Sequence, residues 1–173
     1  AQQLGFAETD PTLDIEGYDA ANKWVLLLAH SYGITTTIDQ MLFNGITQIN
    51  ELDAKVAASR NQSIKLVAQA KKLQNGMVAS FLLPQFVDHA DQLYFVKNEY
   101  NGVVIESGFA DKQFFYGKGA GSFPTASAVL SDIAALRYGY RYEYKKLTQQ
   151  VPSTLSGDFH LRIYISFEDL ANI

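Results

Sequence analysis

The spacing of apolar positions along the chain predicts helices near its two ends and strands between them. Over residues 19–32 apolar side chains recur every three to four positions, which is typical of an amphipathic helix, and Gly33 closes the run. A second long helix is predicted over residues 124–136 and a shorter one over 51–60. The side chains that the first helix is expected to bury are Ala20, Trp24, Leu27 and Leu28.

The centre of the chain is rich in short stretches of β character that are separated by turn residues. Residues 1–18 are predicted to be irregular and 142–157 to be a polar linker. Helices at the two ends of a mostly antiparallel run of strands predict an α+β fold, with a mixed, largely antiparallel sheet and helices packed on one face. The predicted strands are 43–49, 64–70, 77–83, 93–97, 102–107, 113–116 and 160–166.

Composition narrows the class of protein. A chain of 173 residues, 47% hydrophobic and 18% charged, has the size of one globular domain. Its net charge of -4 argues against a nucleic-acid partner, which normally requires a basic excess. The absence of cysteine excludes disulfides, thiolate zinc sites and a cysteine nucleophile, and it fits a reducing cytoplasm. No apolar run approaches the roughly 20 residues of a membrane span. Because the chain begins at Ala1 without an initiator methionine, we expect it to be a fragment of a longer protein.

A glycine-rich stretch, Gly117-Lys118-Gly119-Ala120-Gly121-Ser122, follows a predicted strand and opens a predicted helix. A dinucleotide-binding fingerprint requires a third glycine at the position of Ser122 and an acid at the end of a second strand about 20 residues later, and neither is found. Two interpretations therefore stay open. The stretch is either a tight turn in which small residues allow close packing, or a loop whose backbone approaches a ligand held mainly by another domain.

An acidic segment precedes and enters the first long helix. Five of the 18 acidic residues lie between positions 8 and 19, and Lys23 follows Asp19 by one helical turn. The alternate acids suggest a calcium loop, but Ile15 occupies the required glycine position and Ala21 the position of the bidentate acid. The segment therefore offers calcium no complete ligand set.

Two interpretations of Asp19 and Lys23 follow from their spacing. They form an ordinary exposed helix pair, worth about a few tenths of a kcal/mol. Alternatively, the lysine donates the proton that an alkoxide needs when hydride reduces an aldehyde, a role that requires burial and a carboxylate one turn away. The neighbouring carboxylates would suit a substrate with an ammonium group. The histidines lack ligand spacing and are predicted to be structural, so no metal site is expected; they are His30, His89 and His160.

The acidic segment resembles the signature of homoserine dehydrogenases. The resemblance rests first on the run GFAETDPTLDIEGYDAANK, in which the spacing from Glu8 through Asp14 and Asp19 to Lys23 has no gap. It covers roughly residues 1–138. The further matches are Gly45-Ile46 with Ile49, Ile64-Lys65-Leu66, Asn101-Gly102-Val103-Val104, and the glycine-rich stretch with Pro124-Thr125-Ala126 and Asp132.

Members of this family interconvert L-aspartate 4-semialdehyde and L-homoserine with NAD(P)H. The resemblance implies that Lys23 is the proton donor, supported by Asp19. It implies that Glu8, Asp14 and Asp19 bind the amino end of the substrate. The residues it places near the cofactor are Gly5, Gly117, Gly119, Ala120 and Gly121. Because the family's N-terminal NAD(P)-binding domain is missing from the sequence, we expect the chain alone to be inactive.

The resemblance also implies an organisation into domains. Residues 1–145 would form the substrate-binding, catalytic and dimerisation domain, and 146–157 a linker. Residues 158–173 weakly resemble the first strand and turn of an ACT regulatory module, although the usual glycine of that turn is replaced by Glu168 or its neighbours.

Oligomeric state and function each leave an alternative open. Subunits of the family pair through the sheet of this domain, so a homodimer is expected. The stretches 77–83 and 102–107 are apolar along their length, which indicates burial on both faces, by a partner subunit or by helices within the monomer. A non-catalytic small-molecule-binding or oligomerisation module is the rival function, and the presence of Lys23 favours the catalytic one.

Overall fold

The computed structural model describes residues 10–143, 145–149 and 153–167. The elements confirm the α+β class. In chain order they are α1 (Thr12–Ile15), α2 (Tyr18–Tyr32), β1 (Leu42–Phe43), α3 (Glu51–Ser59), β2 (Gln62–Lys72), β3 (Val78–Asp88), β4 (Tyr100–Ser107), β5 (Asp111–Lys118), α4 (Ser122–Arg137) and β6 (Leu155–Ser156), with 3₁₀ turns at Ile38–Gln40, Gln92–Phe95 and Lys145–Thr148.

The strands form a four-stranded sheet and a separate two-stranded hairpin. β2 and β3 pair antiparallel along their whole length. β1 and β6 each add a two-residue parallel pairing to β3. β4 and β5 make the antiparallel hairpin. The four-stranded sheet is therefore mixed, with one long antiparallel pairing and two short parallel ones.

The core lies between α2 and β3. Leu28 and Val78 are fully buried, and Ile34 and Met41 complete the buried cluster. On α2 the buried stripe runs through Ala21 and Leu28, with Trp24 and Val25 packed against the cluster. The expectation of a buried Leu27 was wrong, because the stripe follows positions 21, 25 and 28 and leaves Leu27 38% exposed.

Helix α4 mixes large apolar side chains with polar ones and buries none of its residues against the described part of the chain. The expected packing of helices on one face of the sheet therefore describes α2 and not α4. None of the described helices has the length and apolar character to cross a bilayer. The large side chains that α4 exposes are Phe123, Val129, Leu130, Ile133 and Leu136.

Three predicted strands were wrong or too long. The strand predicted over 93–97 is a 3₁₀ turn, because the Asp91 carboxylate accepts a hydrogen bond from the backbone N–H of Leu93 at 2.8 Å and bends the chain there. The strand predicted over 43–49 ends at Phe43, before the turn at Gly45. Residues 160–166 form no strand in the described structure, although Tyr164 packs on Phe86 with ring centroids 5.0 Å apart.

Two segments predicted to be irregular contain regular structure. Within 1–18, residues 12–15 form α1. Within the predicted linker at 142–157, Leu155–Ser156 pairs with the start of β3 and Lys145–Thr148 forms a 3₁₀ turn. The turn packs on the end of α2: a Cβ added at Gly33 would lie 2.3 Å from the Lys146 carbonyl oxygen. The described part of this segment therefore belongs to the domain.

Candidate active site

The first two turns of α2 bring Asp19 and Lys23 together as the sequence predicts. The Lys23 ammonium donates a hydrogen bond to Asp19 Oδ2 at 2.6 Å. Their side chains are 59% and 47% exposed, so the described residues do not provide the burial that was expected of a proton-donating lysine. The pair is a lysine ammonium held by a carboxylate on an open side of α2.

A close backbone contact fixes the end of α1, the helix that precedes this pair in the chain. Gly17 adopts a left-handed conformation, with φ of 84°, and so turns the chain from α1 into α2. The end of α1 rests on Gly45, where an added Cβ would lie 2.3 Å from the Ile15 carbonyl oxygen. That oxygen accepts a hydrogen bond from the Ile46 N–H at 2.7 Å. Gly45 therefore fixes the place of α1, a role that sequence reasoning missed although it matched Gly45 to the family pattern.

The other acidic positions divide between described and undescribed residues. Asp14 lies on α1 and is exposed. Asp10 accepts hydrogen bonds from the hydroxyl and the backbone N–H of Thr12, which hold the pKa of the Asp10 carboxyl below its usual value. Glu8 and Gly5 lie outside the described residues. Of the expected site, the structure therefore shows the Asp19–Lys23 pair and the neighbouring helix that carries Asp14.

Trp24 anchors the helix directly beside Lys23. Its indole N–H donates a hydrogen bond to the Ser80 hydroxyl of β3 at 2.9 Å. One turn further along, Leu28 is buried in the core with 1% exposure. Because these contacts hold the middle of α2 against the sheet, the start of the helix, with Asp19 and Lys23, is held in place as well.

The glycine-rich stretch lies at the end of the β4–β5 hairpin. Gly121 has φ of 119°, which favours glycine, and α4 begins at the next residue. A Cβ added at Gly119 would lie 2.0 Å from Asn101 Nδ2, whereas one added at Gly117 would meet nothing within 4 Å. Ala120 joins the two halves of the loop. Among the described residues no hydrogen bond or ion pair joins this loop to α1 or α2.

Comparison with known proteins decides the family. The family model for homoserine dehydrogenase matches residues 1–134. The chain belongs to the homoserine dehydrogenase family. The homoserine dehydrogenase of Bacillus subtilis is 33% identical over 178 residues, an alignment that covers 97% of this chain and 41% of that protein. Other relatives are covered over 31% or 32% of their length, so the chain spans about a third to two fifths of the curated relatives it matches.

Solved homoserine dehydrogenases have the same fold over most of the chain. The Staphylococcus aureus enzyme at pH 6.5 superimposes with a TM-score of 0.72 and 35% identity, over 84% of this chain and 38% of that one. A hyperthermophilic archaeal homoserine dehydrogenase in complex with NADPH gives a TM-score of 0.63 and 29% identity, over 82% of this chain and 39% of that one.

Two of the histidines have aromatic neighbours in the described structure, His30 and His89. His30 contacts the hydroxyl of Tyr142. His89 packs edge-on against Tyr94 and Phe95, with centroid distances of 4.9 and 5.1 Å. Within the described residues no group of three or more His, Asp or Glu side chains is placed to hold a metal ion.

An ion pair beside the glycine loop was not foreseen from the sequence. Lys118 Nζ lies 2.9 Å from Glu99 Oε1, and Glu99 is only 15% exposed. The hydrogen bond from Lys118 lowers the pKa of Glu99, and the same bond raises the pKa of Lys118. The only sequence signal was the position of these two charges at the outer ends of two strands, which becomes a contact once the hairpin register is known.

Proposed function

We propose that this chain is the substrate-binding and catalytic part of an NAD(P)H-dependent homoserine dehydrogenase. The reaction interconverts L-aspartate 4-semialdehyde and L-homoserine, in the threonine and methionine branch of amino-acid biosynthesis in the cytoplasm. The observation that carries the proposal is the 2.6 Å pair between Lys23 and Asp19 at the open end of α2, in a chain that matches the family over residues 1–134.

The chain's own residues would donate the proton of the reaction and bind the ammonium group of the substrate. The nicotinamide cofactor, when bound, supplies the hydride that reduces the aldehyde carbon. The Lys23 ammonium donates its proton to the former carbonyl oxygen, which becomes the hydroxyl of homoserine, and it takes the proton back in the reverse direction. Asp19 holds the ammonium in place through the hydrogen bond described above. Asp14 and Glu8 would join Asp19 in binding the substrate's amino group.

The glycine loop fits a role beside a cofactor that is held mainly by another domain. At Gly117 the described residues leave open space where a side chain would stand, and Gly121 has a backbone conformation that favours glycine. Both features allow a ligand to approach the backbone closely. Gly117, Gly119, Ala120, Gly121 and Gly5 would line this approach, and the archaeal relative bound to NADPH supports the choice of cofactor.

The exposed surface of α4 supports a larger protein around this chain. A helix with several large apolar side chains normally buries them on one face, yet α4 buries no residue against the described part of the chain. We infer that α4 packs against a part of the protein outside this sequence, which would also carry the NAD(P)-binding domain. In that organisation residues 1–145 form the catalytic domain, the described part of the expected linker 146–157 packs onto it, and 158–173 are the start of an ACT-like module.

The hairpin supports a homodimer through the sheet, whereas β3 does not. β3 is largely buried within the chain itself. On the hairpin, Val103 and its cross-strand partner Phe115 share one face with Ile105, and they are 37%, 54% and 46% exposed. A partner subunit that packs on this apolar face would remove its side chains from water and so stabilise the dimer. The largely antiparallel character expected of the sheet would then refer to the two long pairings, β2–β3 and β4–β5.

The proposed proton donor is tested by Lys23→Ala in the full-length protein. We expect turnover to fall by roughly 10²- to 10⁴-fold, as for a lost general acid, with a much smaller change in substrate affinity. Lys55→Ala is the matched control, because Lys55 also pairs with an acid one helical turn earlier, Glu51, at 2.7 Å, but lies on α3. If both variants keep the turnover of the wild type, the assignment of Lys23 is wrong.

A further inference from the structure

Contacts from the start of β4 hold the entrance of the glycine loop. The Gly119 N–H donates a hydrogen bond to the Glu99 carbonyl oxygen at 2.8 Å, and the Glu99 carboxylate pairs with Lys118 at 2.9 Å. The Lys118 ammonium also lies 5.5 Å from the centre of the Tyr100 ring. The residues that lead into the loop are therefore fixed by backbone, charge and ring contacts.

Asn101 adds a contact that depends on shape. Its carboxamide lies against the Cα atom of Gly119, so that a Cβ there would be 2.0 Å from Nδ2 and 2.6 Å from Cγ. The φ angle of Gly119 is not in the left-handed region, since the residues with positive φ do not include it. A side chain at position 119 would therefore displace the Asn101 carboxamide, whereas the backbone conformation there does not call for glycine.

The loop is packed against Asn101 at Gly119 but faces open space at Gly117. Asn101 is paired across the hairpin with Gly117, where an added Cβ would meet no atom within 4 Å. The loop is thus supported at Gly119 and open at Gly117. A backbone that must lie against a ligand needs a support of this kind, because misplacement of a positioning group by about 1 Å can lower the reaction rate roughly 10²-fold.

We infer that Asn101 is a positioning residue for the cofactor. Its side chain packs against Gly119 and so keeps the Gly117–Gly121 loop in the position where the loop backbone contacts the nicotinamide cofactor. Asn101 acts through the shape of its side chain and not through a polar contact of its amide. This inference rests on the proposed function.

The test compares Asn101→Ala and Asn101→Leu in the full-length protein. Alanine removes the support, whereas leucine keeps the branch at Cγ and loses the amide. We expect the Kd for NADPH, measured by titration calorimetry, to rise roughly tenfold in Asn101→Ala, because a loop that must be ordered on binding lowers the affinity. In Asn101→Leu the Kd should stay within about threefold of the wild type. Lys112→Ala is the control, since Lys112 lies opposite Glu106 at the far end of the same hairpin, away from the loop and from the apolar face.

A second measurement reads the loop without the cofactor. Hydrogen exchange at the Gly119 amide should be faster in Asn101→Ala than in the wild type, because the Asn101 side chain no longer packs against Gly119 and its hydrogen bond to the Glu99 carbonyl oxygen opens more often. In Asn101→Leu the exchange rate should be unchanged. The KM for NADPH should rise with Kd, while kcat at saturating cofactor changes less.

Three results would overturn the inference, each for a different reason. Unchanged NADPH affinity in Asn101→Ala would show that the loop needs no support. Equal losses in Asn101→Ala and Asn101→Leu would show that the amide itself makes the important contact. A wild-type protein that binds no nicotinamide cofactor would refute the proposed function, and the cofactor role of Asn101 with it, whatever the amide exchange shows.

Discussion

Replacing Gly45 by alanine tests the contact that places the acidic helix α1. An added Cβ would lie 2.3 Å from the Ile15 carbonyl oxygen and 2.5 Å from Glu16 Cα, whereas ordinary contact begins at 3.4 Å. The atoms it meets are all backbone atoms, so no side-chain rotation relieves the overlap. Either α1 or the turn at Gly45 must therefore move by about 1 Å.

The expected cost of this movement has two parts. Overpacking of this kind typically destabilises by about 1–3 kcal/mol. The Ile46 N–H bond to Ile15, 2.7 Å long, is weakened as well and contributes about 0.5–1.5 kcal/mol. Against this, alanine restricts the unfolded chain and gains about 0.4–1 kcal/mol. We expect a net loss of about 1–3 kcal/mol in the free energy of unfolding.

Urea denaturation of Gly45→Ala beside Gly108→Ala provides the measurement. Gly108 is the matched control, because its added Cβ meets nothing within 4 Å and its φ is not positive. We expect Gly108→Ala to be neutral or slightly stabilised. If the two variants unfold at the same urea concentration, the close approach of Gly45 to α1 does not exist in solution.

Three further predictions concern acid stability, activity and assembly. Because the hydrogen bond from Lys118 lowers the pKa of Glu99, this contact stabilises the fold above the pH at which an unfolded glutamate ionises, and the stabilisation is lost as the pH falls through the lowered pKa. Glu99→Gln should remove that part of the acid sensitivity in urea titrations at successive pH values, and an unchanged acid profile would contradict it. The 173-residue chain alone should not oxidise homoserine when NAD or NADP is added, and any turnover would show that it holds the cofactor unaided. The chain should be a dimer by light scattering at tens of micromolar, and a monomeric wild type would exclude the interface. Ile105→Lys should dissociate the dimer, whereas Lys112→Ala, on the opposite face of the hairpin, should not.

The local parts of the fold could be predicted from the sequence. α2 ends at Gly33 as expected, because a glycine with φ of 70° is a common helix end and its signal lies within a few residues. The Asp19–Lys23 pair follows from the same helical periodicity. Features of this kind depend on neighbours along the chain, which the sequence displays directly.

Features that depend on distant partners could not be predicted in this way. The alternating residues 160–166 have the pattern of a strand, but a strand also needs a neighbouring backbone, and the alternation does not specify one. β3 continues through Pro84, which pairs with Leu66, although proline is rare inside a sheet. The roles of Gly45 and Asn101 likewise become visible only when the segments they touch are brought together.

The bond from Trp24 to Ser80 gives this protein a built-in optical reporter. Trp24 is the only tryptophan in the sequence and is adjacent to Lys23. Its indole is half-buried and tied to β3, so the emission spectrum of the chain comes from one fixed environment at the base of the proposed site. A ligand that binds near the start of α2, or a separation of the helix from the sheet, would change the wavelength or the intensity of that emission without any added dye.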